Sequence, residues 1–199
     1  IHHTEQIAML LAAKYPQLNL FLKINTGMNR LGLPPERIST IINQLQENHY
    51  QKNITLMTHF ASADDRAQHD SVIQQLERFQ QAAHPHAHLR SLANSAALIR
   101  YPQSHADWVR PGIMLYGASP FSDQTATDLD LRPVMTLASK IIAIHELKAG
   151  DKVGYHGLFQ AERPMRIGVV EWGYEDGYPR HAPTNTPVLV NDQVSRLLG

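Results

Sequence analysis

The first half of the chain alternates between segments with helical spacing of apolar residues and short apolar runs of strand length. Between Pro34 and Gln46, apolar side chains recur at the i, i+3, i+4, i+7 spacing of one helix face. Similar segments predict helices at residues 4–14, 34–46, 68–83 and 95–99, with Thr4 as the N-cap of the first. The runs between them predict strands at residues 18–24, 54–60, 89–93 and 113–116.

This alternation predicts a fold for each part of the chain. Strands that alternate with helices are typical of βαβ units, so residues 1–117 predict a parallel α/β sheet, either part of a (β/α)8 barrel or an open doubly wound sheet. Residues 118–131 are polar and predict a linker. Residues 132–199 contain short β-rich segments without helical spacing, which predict the start of a separate β-rich domain.

Composition narrows the classes of function. Lys+Arg and Asp+Glu both total 18, so the formal net charge is zero and nothing indicates a nucleic-acid or anionic membrane partner. No apolar run approaches the roughly 18 residues of a membrane span. Cysteine is absent, which excludes disulfides and a thiol nucleophile and favours a cytoplasmic location. The chain begins at Ile1 and its last residues resemble the entry to another strand, so we expect an internal piece of a longer protein.

Polar side chains follow the predicted strands, where reactive groups of α/β proteins commonly lie. Lys23 and Arg30 flank a glycine turn after the first strand, and an arginine fork there suits a carboxylate or phosphate. A surface loop with a solvated arginine explains the same residues. His59 ends the second strand, where a hydrogen-bonded rim histidine is the simpler interpretation.

Two further segments suit an anionic ligand. Ser95 opens a predicted helix after the third strand, where free N–H groups favour phosphate, although an ordinary helix cap has the same pattern. Arg110 precedes Gly112, which would let a ligand approach the backbone closely. The histidines between residues 84 and 88 lack regular ligand spacing and predict an exposed connection, so no metal site is expected.

A glycine-rich loop after the apolar run 167–170 places Tyr174 at a strand end, where a tyrosine can act as a general acid or base. Together with the strand-end segments, this loop resembles the alanine racemase family, whose protomer joins an α/β barrel to a β-rich C-terminal domain. The motifs follow the family order along the chain: KINTGMNRLGL (23–33), THFASAD (58–64), LANSAAL (92–98), WVRPGIMLYGASP (108–120), LRPVMTLASKI (131–141) and GYEDGYPRHAPTNTPVLVN (173–191).

The resemblance implies a pyridoxal 5'-phosphate (PLP) site in the first domain. Arg110 corresponds to the arginine bonded to the pyridine nitrogen, and His59 to the histidine beside the ring that also contacts this arginine. Ser95 matches a phosphate-binding serine, with the backbone N–H groups of Gly112 and Ile113 adding to the same cup. The cofactor implied is therefore PLP, and the fold implied is a partial (β/α)8 barrel.

The resemblance also implies the substrate and the reaction. Tyr174 corresponds to the catalytic tyrosine that acts on the L-alanine face in a two-base mechanism, and it serves the active site of the partner in a homodimer. Arg30 is similar to the arginine that anchors the alanine carboxylate, and Lys23 to a supporting lysine that is often carbamylated. The function implied is interconversion of L-alanine and D-alanine, which supplies D-alanine for the cell wall.

One of the two catalytic groups that the family implies, the Schiff-base lysine, has no counterpart in the sequence. The family carries its Schiff-base lysine in a motif similar to VKANAYGHG, and no such segment occurs here. The first barrel strands and the last segment of the family are not recognised either, so we expect a fragment that is inactive alone. Two alternatives remain: a non-catalytic binding or dimerisation module of the same fold, and an amino-acid racemase of broader specificity.

Overall fold

In the computed structural model, which describes residues 1–50 and 54–198, the chain divides into two units, Ile1–Met135 and Thr136–Gly199. The first unit contains helices and a parallel sheet, and the second contains antiparallel strand pairs. Among the described residues, no helix combines the length and apolar character needed to cross a membrane.

The sheet of the first unit consists of three parallel strands in chain order: β1 (Leu20–Lys23), β2 (Ile54–Met57) and β3 (Leu89–Ser91). Leu20 pairs with Ile54, and Thr55 pairs with Leu89, so all three strands end at one edge. The parallel α/β arrangement predicted from the alternation is confirmed. The strands are shorter than predicted because the residues that follow them leave the ladder to form loops.

Among the described residues, four α-helices accompany this sheet: α1 (Thr4–Ala13), α2 (Ile38–Glu47), α3 (His69–Ala83) and α4 (Ser95–Arg100). The predicted apolar face of α2 is buried, with Ile38, Ile41, Ile42 and Leu45 all in the core. The N-cap of α1 is His3 and not Thr4, because His3 has the extended backbone of a cap and its ring accepts a hydrogen bond from the Glu5 amide.

The strand predicted at residues 113–116 is wrong, since Ile113–Tyr116 forms a short 3-10 helix. The contact with the sheet is made a few residues earlier: Ser91 and Trp108 form a parallel bridge, and the Arg110 amide donates to Ala93 O. The chain then turns at Gly112. A short apolar run does not by itself distinguish a strand from a helical turn.

The predicted linker, residues 118–131, lies within the first unit. Phe121 is buried in the core. The Val134 amide donates to Tyr116 O, so the two ends of the segment lie next to each other. Gly117 closes the loop with φ = 81°, and a Cβ built there would lie 1.9 Å from Arg132 O. Only glycine fits this crossing without displacing the backbone.

The second unit contains three antiparallel pairs: β4 (Ile141–Leu147) with β7 (Met165–Val170), β5 (Lys152–Val153) with β6 (Phe159–Gln160), and β8 (Pro187–Val190) with β9 (Gln193–Arg196). This agrees with the prediction of β structure without helical spacing. Within residues 136–198, Ala161 is the single buried residue.

Candidate active site

The ends of β2 and β3 deliver polar groups to one edge of the sheet, where α/β proteins commonly bind ligands. His59 lies two residues after β2, and Ser95 opens α4 four residues after β3. Arg110 joins them because its backbone amide is held by Ala93 O at 2.9 Å. The parallel register thus brings together side chains that lie far apart in sequence.

Arg110 is the central group of this cluster. Its Nη1 donates to Ser91 Oγ at 2.5 Å, and its Nη2 donates to Thr58 O at 2.5 Å and to Leu92 O at 3.2 Å. A guanidinium has five N–H groups, so Nε–H and one Nη1–H find no acceptor among the described residues. The guanidinium is fixed from behind and can still donate to a ligand.

His59 contacts the same guanidinium, with 3.4 Å between its Nδ1 and Arg110 Nη2. Burial, and then the charges of Arg110, Lys23 and Arg30, lower the pKa of His59 from 6.5 to about 4. The ring is therefore neutral near pH 7. Nη2 has two hydrogens, which its shorter contacts with Thr58 O and Leu92 O already use, so His59 Nδ1 lies beside the guanidinium as a weaker, third contact.

Ser95 and the loop at Gly112 form the other end of the cluster. Ser95 is buried, and its Oγ accepts from the Gly112 amide at 2.7 Å and from the Met114 amide at 3.5 Å. Asn94 caps α4 through a bond from the Ala97 amide, which leaves the Ser95 and Ala96 amides at the helix start. Hydroxyl and amide donors converge here, as an anion requires.

These groups face one open cleft of about 340 Å³ in the first unit. Five residues predicted from sequence line it: His59, Ser95, Arg110, Gly112 and Ile113. The lining also contains five residues that were not singled out from the sequence: Asp64, Asn94, Ala96, Ser119 and Pro120. All five fall within the quoted motifs, and Asn94 and Ala96 flank Ser95 at the start of α4, but nothing in the spacing of Asp64, Ser119 or Pro120 marked them as part of a cleft.

The loop that carries Arg30 is built around Asn25. Asn25 Oδ1 accepts from the Gly27 and Asn29 amides, and its Nδ2 donates to Asn29 Oδ1. Arg30 is exposed and does not line the 340 Å³ cleft. Burial, and then the charges of Arg30 and Arg110, lower the pKa of Lys23, so Lys23 belongs to the same electrostatic environment.

Tyr174 lies in the second unit, in a 3-10 helix (Tyr174–Asp176) that follows β7. Its side chain is 58% exposed, and the Arg180 guanidinium lies 5.9 Å from its ring centroid. The loop closes through Gly177, whose φ is 94°, and Tyr178 packs edge-on against Trp172. The loop presents the Tyr174 hydroxyl and uses Tyr178 for packing.

No group of three or more histidine, cysteine or acidic side chains with metal-binding geometry occurs among residues 1–50 and 54–198. In the predicted connection at residues 84–88, His86 and His88 stack with ring centroids 6.2 Å apart.

Comparisons with known proteins agree with the domain order. Residues 1–120 match the family model for the alanine racemase N-terminal domain, and residues 134–199 match the model for the alanine racemase C-terminal domain. An alanine racemase of Nitrosomonas europaea is 56% identical over 100% of this chain and 56% of the relative. A catabolic alanine racemase of Klebsiella aerogenes is 47% identical over 96% of this chain and 53% of the relative.

Solved structures give the same result. The biosynthetic alanine racemase of Pseudomonas aeruginosa superposes with a TM-score of 0.89 at 44% identity, and the match covers 100% of this chain and 56% of that protein. The chain thus spans about half the length of the relatives that it matches. Family models matched on both units, together with relatives of more than 50% identity, establish that the chain belongs to the alanine racemase family.

Proposed function

We propose that the chain contributes a PLP-binding cleft and a proton-exchanging tyrosine to an enzyme that interconverts L-alanine and D-alanine. The observation that carries this proposal is the single cleft lined by His59, Ser95, Arg110, Gly112 and Ile113. The relatives that support the proposal are named alanine racemases. A more distant solved structure, the alanine racemase of Bartonella henselae, is described with covalently bound pyridoxal phosphate.

The donors of the cleft fit this cofactor. Ser95 can still donate its hydroxyl proton, and the Ile113 amide is a donor suited to a phosphate; the Gly112 amide, which donates to Ser95 Oγ at 2.7 Å, would have to turn to the phosphate instead. Arg110 has two N–H groups without an acceptor among the described residues, and these are available to a ring nitrogen. A Cβ built on Gly112 would lie 3.8 Å from Ser95 Oγ, with no other protein atom within 4 Å. The protein itself therefore leaves room at Gly112 that a phosphate oxygen can use.

Bound PLP would supply an electron sink for cleavage of the Cα–H bond of alanine. Arg110 remains charged at all working pH values and can only donate, so it would keep the ring nitrogen unprotonated and moderate that sink. His59, whose pKa is lowered to about 4 by burial and by the charges of Arg110, Lys23 and Arg30, adds no further positive charge near pH 7. The protein thus tunes the cofactor through one fixed guanidinium.

Arg30 would bind the substrate carboxylate through its planar fork of donors. Lys23 supports this charge pattern, and its lowered pKa raises the fraction of neutral amine that is open to carbamylation. Tyr174 would take or return the Cα proton on the L-alanine face, in the active site of the partner protomer of a homodimer. Because β1, β2 and β3 are adjacent in chain order, we further propose that they belong to a (β/α)8 barrel.

The sequence has no segment similar to the family's cofactor-holding lysine motif, so we propose that the 199 residues are inactive alone. Incubation with PLP followed by borohydride should leave the mass of this chain unchanged. A mass increase of one reduced cofactor per chain would contradict this part of the proposal.

The proposed function is tested in the intact protein with two variants. Gly112→Ala should leave stability within about 0.5 kcal/mol, since the nearest atom is 3.8 Å from the new Cβ, yet should weaken PLP binding at least tenfold. Tyr174→Phe should retain PLP and lose L-alanine racemisation by at least about 100-fold, a typical loss for a general base. Normal PLP affinity in the first variant, or near-normal turnover in the second, would refute the assigned roles.

A further inference from the structure

Below the cleft lies a buried polar network that the proposed chemistry does not use. Thr26 and Thr58 are each 1% exposed, and Gln75 of α3 is 2% exposed. Gln75 occupies a core position of its helix, between Val72 and Phe79, where an apolar residue is the usual choice. A buried amide is costly unless all of its hydrogen bonds are made, so its contacts call for a function.

The directions of these hydrogen bonds follow from their partners. Thr58 Oγ1 donates its single proton to Ile24 O at 3.0 Å, so Thr26 must be the donor in the 2.7 Å contact between the two hydroxyls. Thr26 Oγ1 in turn accepts from Gln75 Nε2 at 3.2 Å. The chain of donors therefore runs from Gln75 through Thr26 and Thr58 to the end of β1.

Gln75 also holds the turn after His59. Its Nε2 donates to His59 O at 3.1 Å, and its Oε1 accepts from the Ala61 amide at 2.9 Å. Both amide hydrogens and the amide oxygen are thus used, which fixes the orientation of the side chain.

The same helix face supports the loop that leads to Arg30. A Cβ built on Gly27 would lie 3.2 Å from Gln75 Cγ and 3.4 Å from Arg78 Nη1, so this loop rests directly on α3. Arg78 Nη1 donates to Thr26 O at 3.2 Å. One helix therefore contacts both the turn that carries His59 and the loop that carries Arg30.

We propose that Gln75 is a positioning residue that sets the separation between the carboxylate-binding arginine and the cofactor side of the site. It contacts no reacting group and acts through Thr26 and the backbone of residues 59–61. This inference rests on the proposed function, since it assigns a task to Arg30. The phosphate side of the site has its own anchor, because Ser95 Oγ accepts from the Gly112 amide, so cofactor binding should depend on Gln75 less than substrate binding does.

The test uses the intact protein with Gln75→Met, and Gln74→Met on the exposed face of the same helix as its matched control. Gln75→Met should raise the KM for alanine and the inhibition constant of propionate, a carboxylate probe, by about tenfold, because small displacements of a binding group are costly. PLP affinity should change less than threefold, and Gln74→Met should behave as wild type. Hydrogen exchange at the Ala61 amide should accelerate in Gln75→Met, independently of activity.

A second pair of variants covers the case in which Gln75→Met does not fold. Thr26→Val removes the acceptor of Gln75 Nε2 and should raise the KM for alanine and the inhibition constant of propionate. Thr26→Ser keeps the hydroxyl, so both constants should stay at their wild-type values. Wild-type constants in Gln75→Met or Thr26→Val, or a loss confined to PLP affinity, would overturn the inference. Failure of the proposed function would be distinguishable, because the wild-type protein itself would then not racemise alanine.

Discussion

The two units differ in how they hold their candidate functional residues. In the first, Arg110 makes four side-chain contacts around its Nη atoms and lies at the edge of a continuous apolar core. In the second, Tyr174 is 58% exposed and lies in a 3-10 helix that follows β7, among antiparallel strands whose large apolar residues are mostly exposed. The first unit therefore fixes its candidate residues with its own packing, whereas the second presents Tyr174 on a surface with few buried residues beneath it.

This difference indicates where the stability of the chain is encoded. Exposed apolar side chains such as Ile142, Ile144 and Val194 bury little surface, so they contribute little to the folding of the second unit. Substitutions in the core of the first unit should therefore cost more stability than substitutions at exposed positions of the second, and the first prediction below tests this contrast.

The largest expected effect is loss of a core side chain in the first unit. Leu56, in the central strand β2, is 0% exposed, so we predict that Leu56→Ala costs about 2–5 kcal/mol through lost burial and a cavity. Val194→Ala in β9, at a position 78% exposed, should cost less than about 0.5 kcal/mol. Hydrogen exchange of peptides from each unit, measured in the intact protein at increasing urea, gives the loss of unfolding free energy that each substitution causes. Equal costs in the two units would contradict the comparison.

An intermediate effect is expected in the loop after Gly117, where ionic contacts add to the burial of Phe121. The Arg100 guanidinium stacks on the Phe121 ring, pairs with Asp123 and donates to Asp64 O and Gln124 Oε1. We predict that Arg100→Ala lowers the melting temperature by about 5 °C. The matched variant Arg66→Ala also breaks a pair with Asp123, but its side chain is 69% exposed, so a shift of about 1 °C is expected.

Thermal unfolding, followed by circular dichroism, measures the shift in melting temperature of the Arg100→Ala and Arg66→Ala variants. The guanidiniums of Arg66 and Arg100 lower the pKa of Asp123 to about 2, so the pairs should persist at pH 4 and weaken only in stronger acid. A greater decrease in melting temperature with Arg66→Ala than with Arg100→Ala would show that the exposure of the arginine does not decide how much it contributes to stability.

The smallest effect concerns pH. The pKa of His59 falls from 6.5 in the unfolded chain to about 4 in the folded one, so only the unfolded state takes up a proton in this window. Stability of the first unit should therefore be complete above pH 6.5 and decrease as pH falls toward 4, by roughly 1–2 kcal/mol after solvent screening of the half-exposed ring.

His59→Gln should flatten this part of the stability profile, measured by urea unfolding at each pH. His86→Gln is the control, since burial lowers the pKa of His86 as well but by less, and its variant should flatten the profile less. An unchanged profile in His59→Gln would mean that the ring is protonated in the folded protein.

Periodicity predicted the elements whose residues share one buried face. Helices α2 and α3 and the parallel strands followed from spacing alone, and the rule for strand ends marked His59 and Ser95, whereas Arg110 was assigned to the start of a strand that does not form. The roles proposed for these residues came from resemblance, because a neutral histidine or a half-paired guanidinium depends on distances that sequence does not contain. Gln75 has a signal that is visible in the sequence, since it is a polar residue at a core position of a helix.

Other features were beyond prediction because they depend on contacts distant in sequence. The apolar run at residues 113–116 suits a strand as well as a turn, and only the bridge between Ser91 and Trp108 shows that the sheet contact is made earlier. The loop at residues 118–131 has the composition of a linker, and the burial of Phe121 that folds it back needs the core of the first unit.

The close approach of Gly117 to Arg132 has a consequence for engineering. Because residues 118–131 begin and end at one crossing, the exposed part of the loop can be exchanged between fixed ends, provided that the buried Phe121 and the cleft residues Ser119 and Pro120 are kept. In a saturation library, position 117 should tolerate glycine alone, while the exposed tip of the loop accepts most residues. Such a library would map the crossing without any further structure.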